Sequence, residues 1–343
     1  MQIDIEDFGV LEDYLRSNRH ISPGERVSFQ KLLGGVSNKT VRLMWPAGRA
    51  WVLKQALPKL RVSADWFSSP ARIRVEAKAL RWLNRLAPLG ATPEFLWEDP
   101  ANHLMAMEAV PEGHHNWKAV LLSGQIMPEH FEQFGVLLGT IHRRSSEAAA
   151  EVRRVFQVRT HFETLRLEPY YIYTAEKTPG AARYLQALVR ETRRHRLSLV
   201  HGDFSPKNTL IYRGRLILLD HEVVHFGDPA FDLGFALTHF LSKAHYLHNK
   251  RILLANFAKL FWQVYAREIS LLTWASALEP RVVRHTLGCL LARVAGKSPL
   301  EYLAGTEVLR QRDVVLSLMA NPPNCVSGLI DEFIGEINTY AQN

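Results

Sequence analysis

The stretch VHGDFSPKNTLIY at residues 200–212 sets Asp203, Ser205, Lys207 and Asn208 between two short apolar runs. Leu197 to Val200 precede the cluster, Thr209 to Tyr212 follow it, and a third run, Leu216 to Leu219, ends in Asp220. Apolar runs this short, divided by Gly and Pro, read as buried strands joined by tight loops. The polar residues are then held on a rigid frame. Asp, Ser, Pro and Asn are also ordinary turn formers, but here the pattern continues. Asp220 is followed by His221-Glu222, by Gly227-Asp228-Pro229 and by Asp232, so four aspartates fall beside strand-like segments between Asp203 and Asp232. Asp228 itself reads as the start of an Asp-Pro turn.

Upstream, Val27 to Leu33, Thr40 to Trp45 and Ala50 to Ala56 have strand character, with Pro46-Ala47-Gly48 as a turn. Gly34-Gly35-Val36-Ser37-Asn38 joins the first two. A glycine-rich turn lets backbone N–H groups approach phosphate oxygens, because no Cβ blocks the way; Gly-Gly also serves plain hairpins. Between Pro70 and Leu86 the period becomes helical, with Ile73, Ala77, Leu80 and Leu83 on one stripe and Arg74, Lys78, Arg81 and Arg85 opposite. Glu76 falls with the apolar stripe. A buried carboxylate there calls for a cationic partner, and Lys54 in the strand Trp51 to Gln55 is the candidate.

His103 to Glu108 reads as a further strand, and Pro111-Glu112-Gly113 as a turn at a boundary between residues 1–110 and 111–343. Beyond it, Glu129 to Arg144 and Ile252 to Ala266 are helical in period.

A glycine-rich turn, a strand lysine, an inward glutamate, a strand running into a turn, an Asp…Asn loop and a strand-end Asp follow the order of parts in protein-kinase-like phosphotransferases. Val200-His201-Gly202-Asp203 to Asn208, Leu218-Leu219-Asp220-His221-Glu222 and Gly227 to Asp232 resemble the aminoglycoside phosphotransferase and choline kinase superfamily. Gly202 stands where protein kinases carry arginine, which favours the small-molecule kinases. Leu33 to Asn38 resembles the nucleotide loop of the choline, ethanolamine and homoserine kinase branches. Leu138 to His142 and Ala292 to Leu303 resemble later family segments, so the resemblance runs from Val27 to Leu303.

The resemblance implies an α+β, two-lobed protein-kinase-like fold, with a small β-rich N-terminal nucleotide-binding lobe and a mostly helical C-terminal lobe for catalysis and acceptor binding. It implies ATP and Mg2+ as cofactors and a small molecule's hydroxyl as acceptor: an amino alcohol, a sugar or an aminoglycoside-like compound. Carried onto this chain, Asp203 orients or accepts the hydroxyl proton, and Asn208 and Asp220 hold the metal. Lys54, fixed by Glu76, holds the α and β phosphates. Gly34, Gly35, Ser37 and Asn38 form the nucleotide loop, and the backbone from Glu108 to Val110 meets the adenine. Asp232 braces the catalytic loop, and Lys207 helps neutralise the transferring phosphate. Phe204-Ser205-Pro206-Lys207 departs from the Leu-His-Pro-Gly form of antibiotic kinases, and His221-Glu222 from the Phe-Gly of protein kinases, so the acceptor stays open. A nucleotide-binding regulatory pseudokinase is the alternative, against which the base, metal ligands and lysine all stand.

Composition narrows the remainder. Forty-two Lys and Arg against 34 Asp and Glu give a net charge of +8, which suits an anionic ligand. The basic residues lie in scattered groups without interleaved aromatics, so no nucleic acid is expected. The acidic amino terminus, two cysteines (Cys289 and Cys325) and the lack of a membrane-length apolar run lead us to expect a cytoplasmic protein without disulfides. Gly296-Lys297-Ser298 lacks the upstream glycine of a P-loop, with Leu291 in its place, and reads as a helix cap. The histidines show no metal-site spacing and are expected at the surface or satisfied in the core.

Overall fold

The computed structural model describes residues 3–33, 35–62 and 65–339. Helix α1 (Phe8–Ser17) begins at Asp7, whose carboxylate accepts from the Gly9 and Val10 N–H groups and so satisfies donors at the helix start. Five antiparallel strands follow, β1 (Ser28–Lys31), β2 (Asn38–Met44), β3 (Ala50–Ala56), β4 (Phe95–Asp99) and β5 (Leu104–Glu108), in the spatial order β1-β2-β3-β5-β4. Helix α2 (Arg72–Leu86) lies between β3 and β4 in the chain.

Strand alternation sorts this sheet into two faces. Val41, Leu43, Leu53, Leu104 and Ala106 pack with Leu11 and Leu15 of α1. Ala56, Met105 and Met107 pack with Ile73, Ala77 and Leu80 of α2. Because Leu53 points to the α1 side, Lys54 must point to the α2 side, as Ala56 does two residues on. The strands and helix expected upstream are present. Helix α1 and strand β4 lay outside those expectations: α1 buries only Leu11 and Leu15, and β4 is a half-buried edge strand whose pairing slips between Phe95 and Trp97.

The larger part is mostly helical. Helix Ala230–Tyr246 is buried from Ala230 to His245, as an all-round apolar helix must be, and it packs with helices Pro128–Glu147, Arg251–Glu268 and Glu279–Ala295 in one core. Trp117, Phe131, Phe134 and Phe240 meet there at ring separations from 4.7 to 6.0 Å. Gly296 caps Glu279–Ala295, its N–H donating to the Ala292 carbonyl at 2.8 Å. No helix among the described residues is long and apolar enough to cross a membrane.

Short strands carry the polar cluster of the opening stretch. Strand β6 (His115–Asn116) pairs with β8 (Thr209–Tyr212), which pairs with β9 (Arg215–Leu218); β7 (Ser198–Val200) pairs with β10 (His225–Gly227). The Leu219 N–H donates to the Asn208 carbonyl at 2.8 Å. The two hairpin ends that carry Asn208 and Asp220 are thereby joined.

Candidate active site

The loop that carries Asp203 turns at Gly202, where φ is +78°. A Cβ there would lie 2.8 Å from Val223 Cγ2 and 3.3 Å from the Val223 carbonyl, so both backbone conformation and space demand glycine. The turn is fixed from below by Asp232, whose carboxylate accepts from the His201 N–H at 2.6 Å and the Gly202 N–H at 2.7 Å. His142 lies 3.3 Å from the same carboxylate and 2.9 Å from the Tyr265 hydroxyl. A fully buried helix thus sets the position of the next residue, Asp203.

Asp203 is nearly buried, at 6% exposure. Its Oδ2 accepts from Asn208 Nδ2 at 2.6 Å and pairs with Arg166 Nη2 at 2.8 Å. Arg166 also donates from Nε to the Gly202 carbonyl at 2.6 Å. It sits on a wide-turn π-helical segment, Glu163–Ile172, a geometry that recurs at functional sites. Burial works against ionisation of Asp203, but Arg166 and then Lys207 outweigh it and hold the carboxyl below the usual range. Asn208 commits its amide nitrogen to Asp203, so its amide oxygen is the atom it can offer a cation.

Lys54 Nζ lies 2.6 Å from Glu76 Oε1 and 2.9 Å from Asp220 Oδ1. Glu76 is fully buried, as its place on the apolar stripe requires. Burial opposes the Lys54 charge, yet Asp220 and Glu76 overcome it and raise the ammonium above its ordinary range. Burial pushes Glu76 up to about 7, with Asp220 and Glu222 adding to the push against Lys54. Asp220 is also buried in large part; the cations Lys54 and Lys207 nevertheless hold it below the usual carboxylate range. Its backbone is left-handed at φ +66°, a conformation that short polar residues tolerate better than most.

Glu222 completes a group with oxygens of Glu76, Asp220 and Glu222 all within 4.8 Å of one another. Its Oε2 receives Arg72 Nε at 3.0 Å and Asn38 Nδ2 at 3.1 Å, and Arg72 also bonds the Ser37 carbonyl. Glu76 Oε2 and Asn38 Oδ1 are buried without a partner. An all-oxygen donor set with such vacancies fits a hard divalent cation of the Mg2+ type.

The structure brings Lys54, Glu76 and Asp220 into direct contact, and Asp203 and Asn208 likewise. Ser37 and Asn38 are folded against Arg72 and Glu222, and a Cβ at Gly35 would make ordinary contact with the Asn38 carbonyl at 3.7 Å and Thr40 Oγ1 at 3.9 Å. Gly34 lies outside the described residues. Lys207 is exposed; its carbonyl accepts from Asn116 Nδ2 at 2.8 Å, and its charge acts on both Asp203 and Asp220. Glu108 ends β5, its N–H donating to the Glu94 carbonyl, and the Ala109 N–H goes to the Ala50 carbonyl; Val110 is buried just beyond.

Sequence reasoning missed Arg166, Arg72 and the part played by Glu222. Only Glu222 left a signal, as a carboxylate two residues after Asp220. The expectation of satisfied histidines needs correction at His221: it is buried, with neither ring nitrogen paired. Burial together with the nearby His201 ring keeps it neutral.

The pattern of the phosphotransferase enzyme family (APH) matches residues 28–260. Methylthioribose kinase of Pectobacterium atrosepticum is 27% identical over 256 residues, covering 67% of this chain and 64% of that protein. The chain therefore matches a little under two thirds of that kinase's length. Among solved structures, macrolide 2'-phosphotransferase MphH from Brachybacterium faecium aligns at TM-score 0.53 and 19% identity over 92% of this chain and 98% of that one. Amicoumacin kinase hAmiN, solved with AMP-PNP and Ca2+, aligns at TM-score 0.57 and 17% identity over 91% and 93%. Their likeness establishes the two-lobed, protein-kinase-like α+β fold. With the family pattern lying over both the lysine strand and the Asp203 loop, the chain belongs to the phosphotransferase enzyme family.

Proposed function

We propose that the protein is a small-molecule kinase, moving the γ-phosphate of ATP with Mg2+ to a hydroxyl of its acceptor. The observation that carries this is the Lys54 ammonium held between Glu76 and Asp220, on the same site as the Asp203 and Asn208 pair. Phosphoryl transfer asks mainly for alignment and charge neutralisation, and these groups supply both. The methylthioribose kinase and AMP-PNP-bound kinase relatives support the reading.

Asp203 has Oδ2 engaged by Arg166 and Asn208, so Oδ1 is the oxygen that orients the acceptor hydroxyl and takes its proton. A carboxyl held below its usual range is a weak base. That suits a loose transition state, in which the hydroxyl need not be deprotonated early. Lys54 bonds the α and β phosphates while Glu76 keeps it in place, and the Glu108 carbonyl and Val110 N–H meet the purine edge. Asn208 and Asp220 would hold Mg2+, with Glu222 beside them, and the ion would supply positive charge that offsets the phosphates. Lys207 adds positive charge where the phosphate passes. The lobes divide at Val110.

The test is Mg2+-dependent ATP consumption across a panel of hydroxyl acceptors, with Asp203→Ala as control. Turnover that vanishes in the variant is expected. Undiminished turnover in Asp203→Ala removes Asp203 from the reaction, and nucleotide-induced stabilisation without turnover on any acceptor turns the reading into a binding module.

A further inference from the structure

Two buried cations of the helical part, Lys243 and Arg293, lack carboxylate partners among the described residues. Lys243 has 0% exposure. Its ammonium donates to the His239 carbonyl at 3.2 Å and stands 5.4 Å from the Tyr302 ring centre, with no ion pair among the described residues. Arg293, 7% exposed, bonds the Tyr170 hydroxyl at 3.0 Å and the Ser298 hydroxyl at 2.9 Å, and its Nε has no partner. Lys118 is paired with Glu301, the carboxylate that acts on Lys243. Buried and likewise without partners are His239 Nδ1, Ser242 Oγ and the Tyr302 hydroxyl.

The cluster lies close to the loop that carries Lys207. Asn116, which caps the helix carrying Lys118, bonds the Lys207 carbonyl, and Lys207, Lys118, Lys243 and Arg293 all act on His239. Tyr170 shares the wide helix with Arg166. Helix Ala230–Tyr246 links the two ends: Asp232 holds the catalytic turn, and seven residues on, about 10 Å at 1.5 Å per residue, the His239 carbonyl holds Lys243.

A buried ammonium without a counter-charge is costly, and such a group normally neutralises. Burial, with Lys118 and Arg293, pulls Lys243 down to about 7. An anion restores the charge and satisfies the idle donors together. We propose that this cluster seats an anionic group of the acceptor, a carboxylate or a phosphate monoester, while the acceptor's hydroxyl lies at Asp203. The proposal rests on the kinase reading and names its acceptor class: a hydroxy compound whose acid group is separated from the reacting hydroxyl by several bonds. A cationic amino alcohol or aminoglycoside would meet like charge here, which rejects it.

Thermal stability of the whole protein, with saturating Mg-ADP, is measured against inorganic phosphate and acetate for the wild type, Lys243→Met and Arg293→Gln. Saturable stabilisation of the wild type by at least one anion is expected, with apparent affinity at least tenfold weaker in both variants. A response to phosphate alone assigns a phosphate monoester, and a response to acetate a carboxylate. Equal responses in wild type and variants, or none in the wild type, overturn the proposal. ATP consumption with glucose, glucose 6-phosphate, gluconate and glucosamine gives a second readout. Either anion ahead of glucose and glucosamine by tenfold or more supports it, glucose or glucosamine ahead overturns it, and if none is consumed the anion titration decides. Failure of Mg-ATP to bind at all would instead remove the kinase reading and leave the anion result standing.

Discussion

Arg166 and Asp203 form a buried ion pair, Nη2 to Oδ2 at 2.8 Å, and the same guanidinium holds the Gly202 carbonyl beside that aspartate at 2.6 Å. Arg166 therefore fixes where Asp203 points and how basic it is. Replacing it with Gln leaves a buried carboxylate short of a cation, a loss of about 3–5 kcal/mol in stability. Turnover should fall about 10- to 100-fold, 1.4 to 2.7 kcal/mol, with the KM for ATP little changed, because Lys54 and Glu76 are untouched. The acidic limb of the kcat profile should move to higher pH, since the main cation lowering Asp203 is gone. Arg166→Lys should recover part of the shift but not the Gly202 bond. A profile that stays in place in Arg166→Gln would show that the arginine acts on folding alone.

Gly202→Ala tests the turn. A left-handed non-glycine residue costs about 1–3 kcal/mol, and the added methyl also strikes Val223. Denaturant unfolding should show both losses. Adding Val223→Ala should return the steric part and leave the backbone part, so a double variant as stable as the wild type would refute the conformational argument.

How far the sequence reveals this site depends on the distance over which each contact acts. Lys54 and Glu76 were legible because strand and helix periods each fix a side chain's face within a few residues, and both faces meet across one layer. Asp203, Asn208 and Asp220 were legible because they lie in short motifs, local in sequence, that resemble those of the family. Arg72 and Glu222 stand 150 residues apart, and Asp203 lies 37 residues beyond Arg166; nothing in a local period marks such pairs. Arg166 is further concealed by its π-helical segment, whose wide turns break the 3.6-residue pattern. His221 was misjudged for a related reason: burial follows from the apolar surroundings, but whether a partner stands beside each ring nitrogen is a property of tertiary packing.

Lys54→Met should test the charge balance around the phosphate lysine. It leaves Glu76, Asp220 and Glu222 together without the amine between them, and loss of one partner from a buried pair costs about 3–5 kcal/mol. Removing the cation raises Glu76 further and takes away the main charge that holds Asp220 down, and a group raised on folding stabilises at low pH and loses that contribution as pH rises. The stability gap to the wild type should thus be widest near pH 8 and narrow toward pH 5. Lys54→Met with Glu76→Gln should be more stable than Lys54→Met alone at pH 8. A gap independent of pH, measured by urea unfolding, would contradict the assignment of these carboxylates.

Acid sensitivity should come chiefly from imidazoles. His201, His221, His225, His239 and His285 are buried, and burial is the leading cause that lowers each, His225 to about 3. Unfolded histidine titrates near 6.5. Below that pH the unfolded chain binds protons that the folded protein refuses, so the stabilising contribution present above 6.5 is lost as pH falls. At one proton each, the five together can reach about 7 kcal/mol per pH unit near pH 5. Glu76 works the other way, gaining its proton in the folded state between about 7 and 4.5, and burial raises Asp228 in the same sense, but these are two carboxyls against five imidazoles. Asp203 and Asp220 contribute only at lower pH, where lowered carboxyls protonate. Unfolding midpoints at pH 7.5, 6.5 and 5.5 should therefore fall steeply over the last interval. His225→Phe, which keeps the ring stacked on Phe162 at 4.0 Å, should reduce the proton uptake on unfolding by about one. Midpoints flat down to pH 5.5 would mean that these rings accept protons inside the folded protein.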